Sequence, residues 1–168
     1  MRLQHEIEVL STVIKDKTYG MEGEFLIETS IEIVFKDRER KNFYFDNIFF
    51  PKLSPCGSFF QGSYNLQKET YNDWVSINNQ RCLLTSLVEN HQLTLISEAE
   101  YNQCNVNKNY PYRSFNRLTR PGFSPNFSQA IIQIYVYSPG AHDFGSILYL
   151  ERVSQQWHIK SSYGLYNQ

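Results

Sequence analysis

The last third of the chain decides the fold, and its centre is the stretch at 129–138, which reads QAIIQIYVYS. Four strand-like runs occur in this part of the chain, at 115–120, 129–138, 146–153 and 157–163. The connections between them are short and carry Pro121-Gly122, Pro139-Gly140 and the turn at 154–156. Consecutive strands with short connections pair antiparallel, so we predict a four-stranded antiparallel meander.

Alternation along these strands divides their side chains between two faces. One face is apolar and predicts the core: Ala130, Ile132, Ile134, Val136, Leu148, Leu150, Trp157 and Ile159. The opposite face, here named the predicted ligand face, carries the candidate binding residues Gln133, Tyr135, Tyr137, Tyr149, Glu151, His158 and Lys160. An ordinary solvated sheet face is the plainer interpretation of this pattern. A ligand pocket closed by sheet curvature is one alternative, and a Tyr-rich protein-contact surface is the other.

The first half of the chain predicts a helix followed by strands. Leu3, Ile7, Leu10, Val13 and Ile14 form one apolar stripe, which indicates a helix over 3–17. Strict alternation at 25–36 predicts a half-buried strand, the mixed charges at 37–41 a turn, and 42–50 a returning strand. The segment at 51–65 is rich in Pro, Gly and Ser and reads as a long loop.

The middle of the chain predicts two further helices. Apolar spacing favours a helix over 66–79, and 92–96 is a short strand candidate. Ser97 and Glu100 have the spacing of a capping box, which predicts the start of a short helix. The Asn-rich segment at 102–112 is typical of a loop.

Composition supports one domain of the α+β class. The chain has 168 residues and a formal net charge of −1, and Leu, Ile, Val and Phe make up 47 residues. This apolar content excludes an intrinsically disordered chain. Ala, the best helix former, occurs three times, whereas strand formers make up nearly a third of the residues. We predict a single α+β domain over residues 1–168, dominated by its sheet.

Charge and hydropathy restrict the partners. The pI of about 6.4 lies well below that of typical nucleic-acid-binding domains, so no nucleic-acid partner is expected. No apolar run is long enough to span a membrane, and residues 1–8 lack the apolar core of a secretory signal. We therefore expect a cytoplasmic protein, with an exported mature form as the alternative.

Residues able to carry chemistry are few. The chain lacks the phosphate-binding, dinucleotide-binding, nucleophile-elbow and zinc-protease motifs. His142 and Asp143 are adjacent in a loop and read as an exposed turn, and Cys56 reads as an incidental thiol. Three Cys without framework spacing predict no structural disulfide, and no His lies at ligand spacing from another His or Cys. We expect no cofactor, no metal and no catalytic residue of recognisable type.

The C-terminal pattern resembles a loosely related group of uncharacterised bacterial proteins. The residues that carry the resemblance run in a recurrent order: Arg120, Gly122 and Phe123, then Gln129-Ala130, Gly145, and Trp157 with Ile159. The segment around Glu6, Val9 and Leu10 and the segment Asp73-Trp74…Asn78 also look like that group. Thr119 stands where the group has Ser, and the turn at 154–156 lacks the usual Gly. The resemblance implies fold markers and no activity: a bend at Gly122, an aromatic plug at Phe123 and a core anchor at Trp157.

Together these patterns predict an antiparallel sheet packed on the N-terminal helix, in an NTF2-like or cystatin-like arrangement. Such folds serve unrelated functions, so the fold alone names none. The leading hypothesis is a non-catalytic binding or protein-interaction domain of bacterial origin. Its partner would be an unidentified protein or a small apolar or aromatic ligand, with a homodimer as a further option. The alternative is a small hydrolase or isomerase with a sheet-lined pocket that uses His158 and Glu151.

Overall fold

The architecture is α+β, with three helices and seven strands in the part of the chain that the structure describes. This computed structural model describes residues 1–16, 18, 21, 25–33, 66–88, 93–107, 114–137 and 144–165, without the side chains at 104–107. The elements follow in the order α1 (Arg2–Lys15), β1 (Phe25–Ile27), α2 (Lys68–Ile77), β2 (Thr94–Ile96), α3 (Glu98–Asn107), β3 (Phe115–Leu118), β4 (Gly122–Phe123), β5 (Gln129–Tyr137), β6 (Phe144–Val153) and β7 (Gln156–Leu165).

The strands form one mixed sheet in the order β2-β1-β3-β5-β6-β7, and the short β4 also pairs with β5. The meander is confirmed: β3, β5, β6 and β7 are antiparallel neighbours. The prediction of a purely antiparallel sheet is wrong, because β1 pairs parallel with both β2 and β3. These parallel pairs join residues far apart in sequence, and local strand spacing carries no information about them.

Helix α1 packs on the apolar face of the meander, as predicted. Its buried Val9, Leu10 and Val13 share one core cluster with the predicted core residues of β5 and β6 and with Trp157. The buried face differs from the predicted stripe at two positions, because Leu3 of the stripe is 57% exposed whereas the charged Glu6, outside the stripe, is fully buried. The buried face of α1 is thus rotated toward Glu6, whose partners are described below.

The strand predicted over 25–36 is confirmed only for β1. Beyond Ile27 the backbone N–H groups of Glu28, Ser30, Ile31 and Ile33 donate to carbonyls of four separate segments, at Ile96, Cys82, Leu118 and Asn78. A strand needs one continuous ladder partner, and residues 28–33 have none. The alternation in the sequence is not matched by burial, because Ser30 is fully buried whereas Ile31 and Ile33 are half-buried.

The remaining local predictions have mixed outcomes. Helix α2 lies within the predicted 66–79 and β2 within 92–96. The capping box is confirmed, since Glu100 N donates to Ser97 Oγ and Ser97 N to Glu100 Oε2, but α3 continues to Asn107 where a loop was predicted. The predictions for the segments at 34–65 and for His142 and Asp143 fall outside the described residues.

Two further findings concern thiols and membranes. Cys82 is a free thiol, whereas Cys56 and the side chain of Cys104 lie outside the described part. In the ranges described above, no helix combines the length and the apolar composition needed to cross a bilayer.

Candidate functional site

The predicted ligand face lies on the side of the sheet opposite α1, where α2 covers part of it. Tyr149 is only 4% exposed and packs with Tyr71 and Trp74 of α2 and with Ile131 of β5. Its hydroxyl donates to Glu151 Oε1 at 2.7 Å. Burial, together with the bond to Glu151 and its negative charge, raises the pKa of the Tyr149 hydroxyl above its usual range. Tyr149 is therefore part of the core.

The other residues of this face are spread over several environments. Tyr137 packs edge-on against Tyr101 of α3, with ring centroids 6.1 Å apart. Gln133, Tyr135 and Glu151 are half-buried, whereas His158 and Lys160 are exposed.

The strand register brings two of these residues together and separates a third. Glu151 and His158 are direct cross-strand partners between β6 and β7. A register shift between Tyr149 and Leu150 leaves Lys160 opposite no residue of β6. This bulge interrupts the alternation from which the sequence placed Lys160.

A second site, which the sequence interpretation did not identify, lies between α1 and the turn that joins β6 to β7. This groove has a volume of about 480 Å³, within the range of small-ligand sites. We name it the α1–turn groove. One wall is the helix stripe Gln4, Ile7, Glu8, Ser11 and Thr12, and the other is Gln155, Gln156 and Trp157.

The helix wall of the groove is polar and internally hydrogen-bonded. Gln4 Nε2 donates to Glu8 Oε1 at 3.2 Å, and Thr12 Oγ1 donates to the Glu8 carbonyl at 2.9 Å. His5 Nδ1 lies 3.3 Å from Glu8 Oε2. Because the two carboxylate oxygens of Glu8 have different neighbours along the helix, the carboxylate is held at a fixed place in the groove.

The turn wall has an unusual backbone. Ser154 and Gln155 both have positive φ, at 48° and 68°, and they form the two-residue connection between β6 and β7. Hairpins of this length favour such a conformation, and they usually place Asn and Gly there. Ser-Gln at these positions adds backbone strain, which other turn residues would avoid.

An aromatic cluster lies beneath the groove. His5 stacks on Phe127 with ring centroids 4.7 Å apart, and the edge of Trp157 meets His5 at 5.9 Å. Phe123 completes the cluster at 5.6 Å from Trp157. The burial of Phe123 and Trp157 confirms their interpretation as aromatic plug and core anchor. The Trp157 Nε1 atom is buried and has no hydrogen-bond partner among the residues that the structure describes.

Ion pairs fix the first turns of α1, which carry the groove. Glu6 accepts from Arg2 Nε at 2.8 Å and from Arg120 Nη2 at 2.7 Å, and Arg2 also makes two 3.0 Å bonds to Asp73 of α2. Burial alone would lower the pKa of Arg2, but its bonds to Asp73 and Glu6 outweigh burial and raise it. The charges therefore connect α1, α2 and the segment before β4.

Gly122 completes this junction. A Cβ atom at Gly122 would overlap the backbone and Cβ of Trp74, so only glycine allows β4 to approach α2 this closely. The interpretation of Gly122 as a bend is replaced by this close approach, because β4 is extended and pairs with β5.

The helix stripe at 4, 8, 11 and 12 was visible in the sequence as the polar side of an amphipathic helix. Such a side is usually solvated, and only tertiary packing brings the turn at 154–156 beside it. Within the described residues, no group of three or more His, Cys, Asp and Glu side chains is placed to hold a metal ion.

Comparison with protein-family models, with curated proteins and with solved structures found no match for this chain.

Proposed function

We propose that the protein is a non-catalytic binding domain and that the α1–turn groove is its binding site. The observation that supports this proposal is the indole N–H of Trp157, a residue that lines the groove. A buried donor without an acceptor costs about 1–3 kcal/mol, and such groups in native proteins call for an explanation. A bound ligand that supplies an acceptor would recover this cost.

The groove has features of recognition more than of catalysis. Its side chains are mainly amides and hydroxyls, which orient ligands by hydrogen bonding. Its one carboxylate, on Glu8, lies beside His5, whose ring is stacked on Phe127 and 7% exposed. General acid–base catalysis needs a group that reaches the reacting proton, and the stacked His5 ring is poorly placed for that.

The alternative of a hydrolase or isomerase at His158 and Glu151 has less support. The two residues are cross-strand partners, but His158 is exposed and Glu151 accepts the Tyr149 hydroxyl. A protein partner on the predicted ligand face stays a prediction, as does a homodimer. An NTF2-like or cystatin-like arrangement also stays a prediction, supported by the packing of α1 on the sheet.

The two tryptophans allow a direct test by NMR. A library of small neutral, cationic and anionic compounds is added while proton–nitrogen correlation spectra record both indole N–H signals. We expect ligands to shift the Trp157 signal and to leave that of Trp74, whose Nε1 donates to Thr119 Oγ1 at 3.0 Å, in place.

Matched variants locate the binding. Gln155→Ala removes a groove residue, whereas Gln103→Ala changes an exposed glutamine on α3. We expect weaker binding only for the first. Ligand-induced shifts confined to the surroundings of His158 and Glu151, or equal effects of the two variants, would contradict the proposal.

A further inference from the structure

The charge of the α1–turn groove limits what it can bind. Glu8 is the charged residue of the lining, which otherwise consists of Gln, Ser, Thr, Ile and Trp side chains. An anionic ligand would meet a carboxylate and no lining cation, so phosphates and carboxylates are disfavoured. The charge pattern leaves neutral and cationic ligands.

The hydrogen-bonding groups of the groove distinguish neutral from cationic ligands. The Trp157 N–H needs an acceptor, and the glutamine amides of the lining offer both donors and acceptors. A quaternary ammonium ion has no acceptor and would leave the Trp157 N–H unpaired. A hydroxyl group both donates and accepts, so neighbouring hydroxyls can satisfy Glu8 and the amides at the same time as Trp157.

The walls of the groove also argue against a peptide. A peptide bound by strand addition would lie along the outer edge of β7, the last strand of the sheet, whereas this groove lies between the side of α1 and the turn at the start of β7. A helix bound in a groove needs apolar anchors, and Ile7 and the 5% exposed Trp157 provide little apolar area. A small polar ligand fits the lining better.

We infer that the α1–turn groove binds a neutral ligand with several hydroxyl groups, of the saccharide or polyol class. This inference rests on the proposed function and names its ligand. A ligand hydroxyl accepts from Trp157 Nε1, and others donate to the Glu8 carboxylate. Because Nε1 is shielded from solvent in this structure, the contact requires a local rearrangement that exposes it.

The test is a titration of the full chain with maltose, cellobiose, N,N′-diacetylchitobiose and glycerol, followed through the two indole N–H signals. Tetramethylammonium chloride, which has no hydrogen-bonding group, and inorganic phosphate serve as the charged probes. We expect at least one neutral hydroxylated probe to shift the Trp157 signal at millimolar concentration, with the Trp74 signal unchanged and neither charged probe active.

Variants then separate recognition from packing, with binding measured by calorimetry. Trp157→Phe keeps an aromatic ring and removes the N–H, so the bound probe should dissociate about three- to tenfold more readily, the worth of one hydrogen bond. Gln155→Ala provides a second measurement of binding affinity with a variant that leaves the core intact. Gln103→Ala is the control outside the groove.

The outcomes distinguish the two proposals. Shifts of Trp157 with tetramethylammonium or phosphate alone would overturn the ligand class and keep the groove as a binding site. An unchanged Trp157 signal with every probe, or shifts that map to the predicted ligand face, would overturn both proposals. Equal affinity of the wild type and both groove variants would overturn the inferred contacts.

Discussion

The two tryptophans lie on opposite faces of the sheet and differ in how their indole N–H groups are satisfied. Trp74, on the α2 side, is 1% exposed and donates to Thr119 Oγ1, which also accepts from the Gln133 N–H. Trp157, on the α1 side, is 5% exposed and its N–H has no acceptor. The rings are almost equally buried, so burial alone does not distinguish them.

The two indole groups also differ in the polar contacts that surround them. On the α2 side, Asp73 pairs with Arg2 and accepts the Phe123 N–H, and Asn78 bonds both the N–H and the carbonyl of Arg120. Buried polar groups are normally satisfied in this way. Arg120 Nε in this junction and Arg152 Nε are also buried without a partner among the described residues, so it is the position of Trp157 in the lining of the α1–turn groove that makes its N–H a candidate binding group.

We expect the largest effect on stability when the Glu6 carboxylate, which links α1 to the α2 side, is removed. Glu6→Ala leaves Arg2 and Arg120 without their shared buried partner, and we expect a loss of about 3–5 kcal/mol in the free energy of unfolding. Urea denaturation measures it. Glu8→Ala, on the same helix but with a side chain that is 34% exposed, is the control and should cost less than about 1 kcal/mol. Equal losses would show that the junction is no stronger than a surface pair.

A Cβ at Gly122 tests the close approach of β4 to α2. Gly122→Ala forces the backbone of Trp74 away, and overpacking of this kind costs about 1–3 kcal/mol. The Trp74 indole signal should shift while that of Trp157 moves less. Gly145→Ala, where a Cβ would meet flexible side chains at 3.3 Å or more, is the milder control. If Gly122→Ala proved as stable as wild type, the junction would be looser than described.

Conservative tryptophan changes compare the two N–H groups directly. Trp74→Phe removes a satisfied hydrogen bond and should cost about 1 kcal/mol beyond the effect of the smaller ring. Trp157→Phe removes an unsatisfied donor, so its smaller ring is the main expected cost. Thermal and urea unfolding of both variants measure the difference. A larger loss for Trp157→Phe would mean that its N–H is satisfied in solution.

The strained turn beside Trp157 predicts a stabilising change. A non-glycine residue in the left-handed conformation of Gln155 costs the folded state about 1–2 kcal/mol, and Gln155→Gly removes this cost. The glycine also raises the entropy of the unfolded chain, which lowers the free energy of unfolding by about 0.4–1 kcal/mol. The net expectation is a gain of about 0.5–1 kcal/mol in unfolding free energy, together with weaker binding in the groove. Gln156→Gly, in β7 and without positive φ, is the control and should destabilise. If Gln155→Gly lowered the free energy of unfolding, the backbone at Gln155 would not be strained.

The smallest effect concerns the pH dependence of the α2 side. Since the folded pKa of Tyr149 lies above the unfolded value of about 10, its contribution to stability is complete below that pH and is lost as pH rises further. Glu151→Gln removes one cause, so the pKa of Tyr149 falls while burial still keeps it raised, and the alkaline loss becomes smaller. Carbon NMR of the tyrosine rings measures the pKa, with Glu100→Gln as control. An unchanged pKa in Glu151→Gln would show that burial acts alone.

Local patterns predicted the meander, α1, α2 and the capping box, because each depends on residues close in sequence. Strand alternation also assigned the core face of β5 correctly, from Ala130 to Val136. The same rule could not foresee the bulge beside Leu150, which adds one residue to β7 and leaves Lys160 opposite no residue of β6. It also extended β1 too far, because residues 28–33 bond to several segments and form no continuous ladder.

The α1–turn groove escaped prediction for a related reason. Gln4, Glu8 and Ser11 are typical residues of a solvated helix face, and Gln155 is a typical turn residue. Only the docking of α1 across the sheet brings them together, and docking depends on long-range contacts such as Arg120 with Glu6. Sequence reasoning instead favoured the opposite face, where it did not foresee that α2 would cover Tyr149.

The position of β1 has a consequence for the order of folding. β5, β6 and β7 join through short connections, so their contacts are local and close quickly. β1 pairs with β2 and β3 through residues such as Phe25 with Thr94 and Phe25 with Phe115, which lie far apart in the chain, and these pairs require the closure of large loops. We expect the C-terminal hairpins to gain hydrogen-exchange protection first and β1 to be inserted late, so that the meander serves as the template on which the N-terminal half is organised.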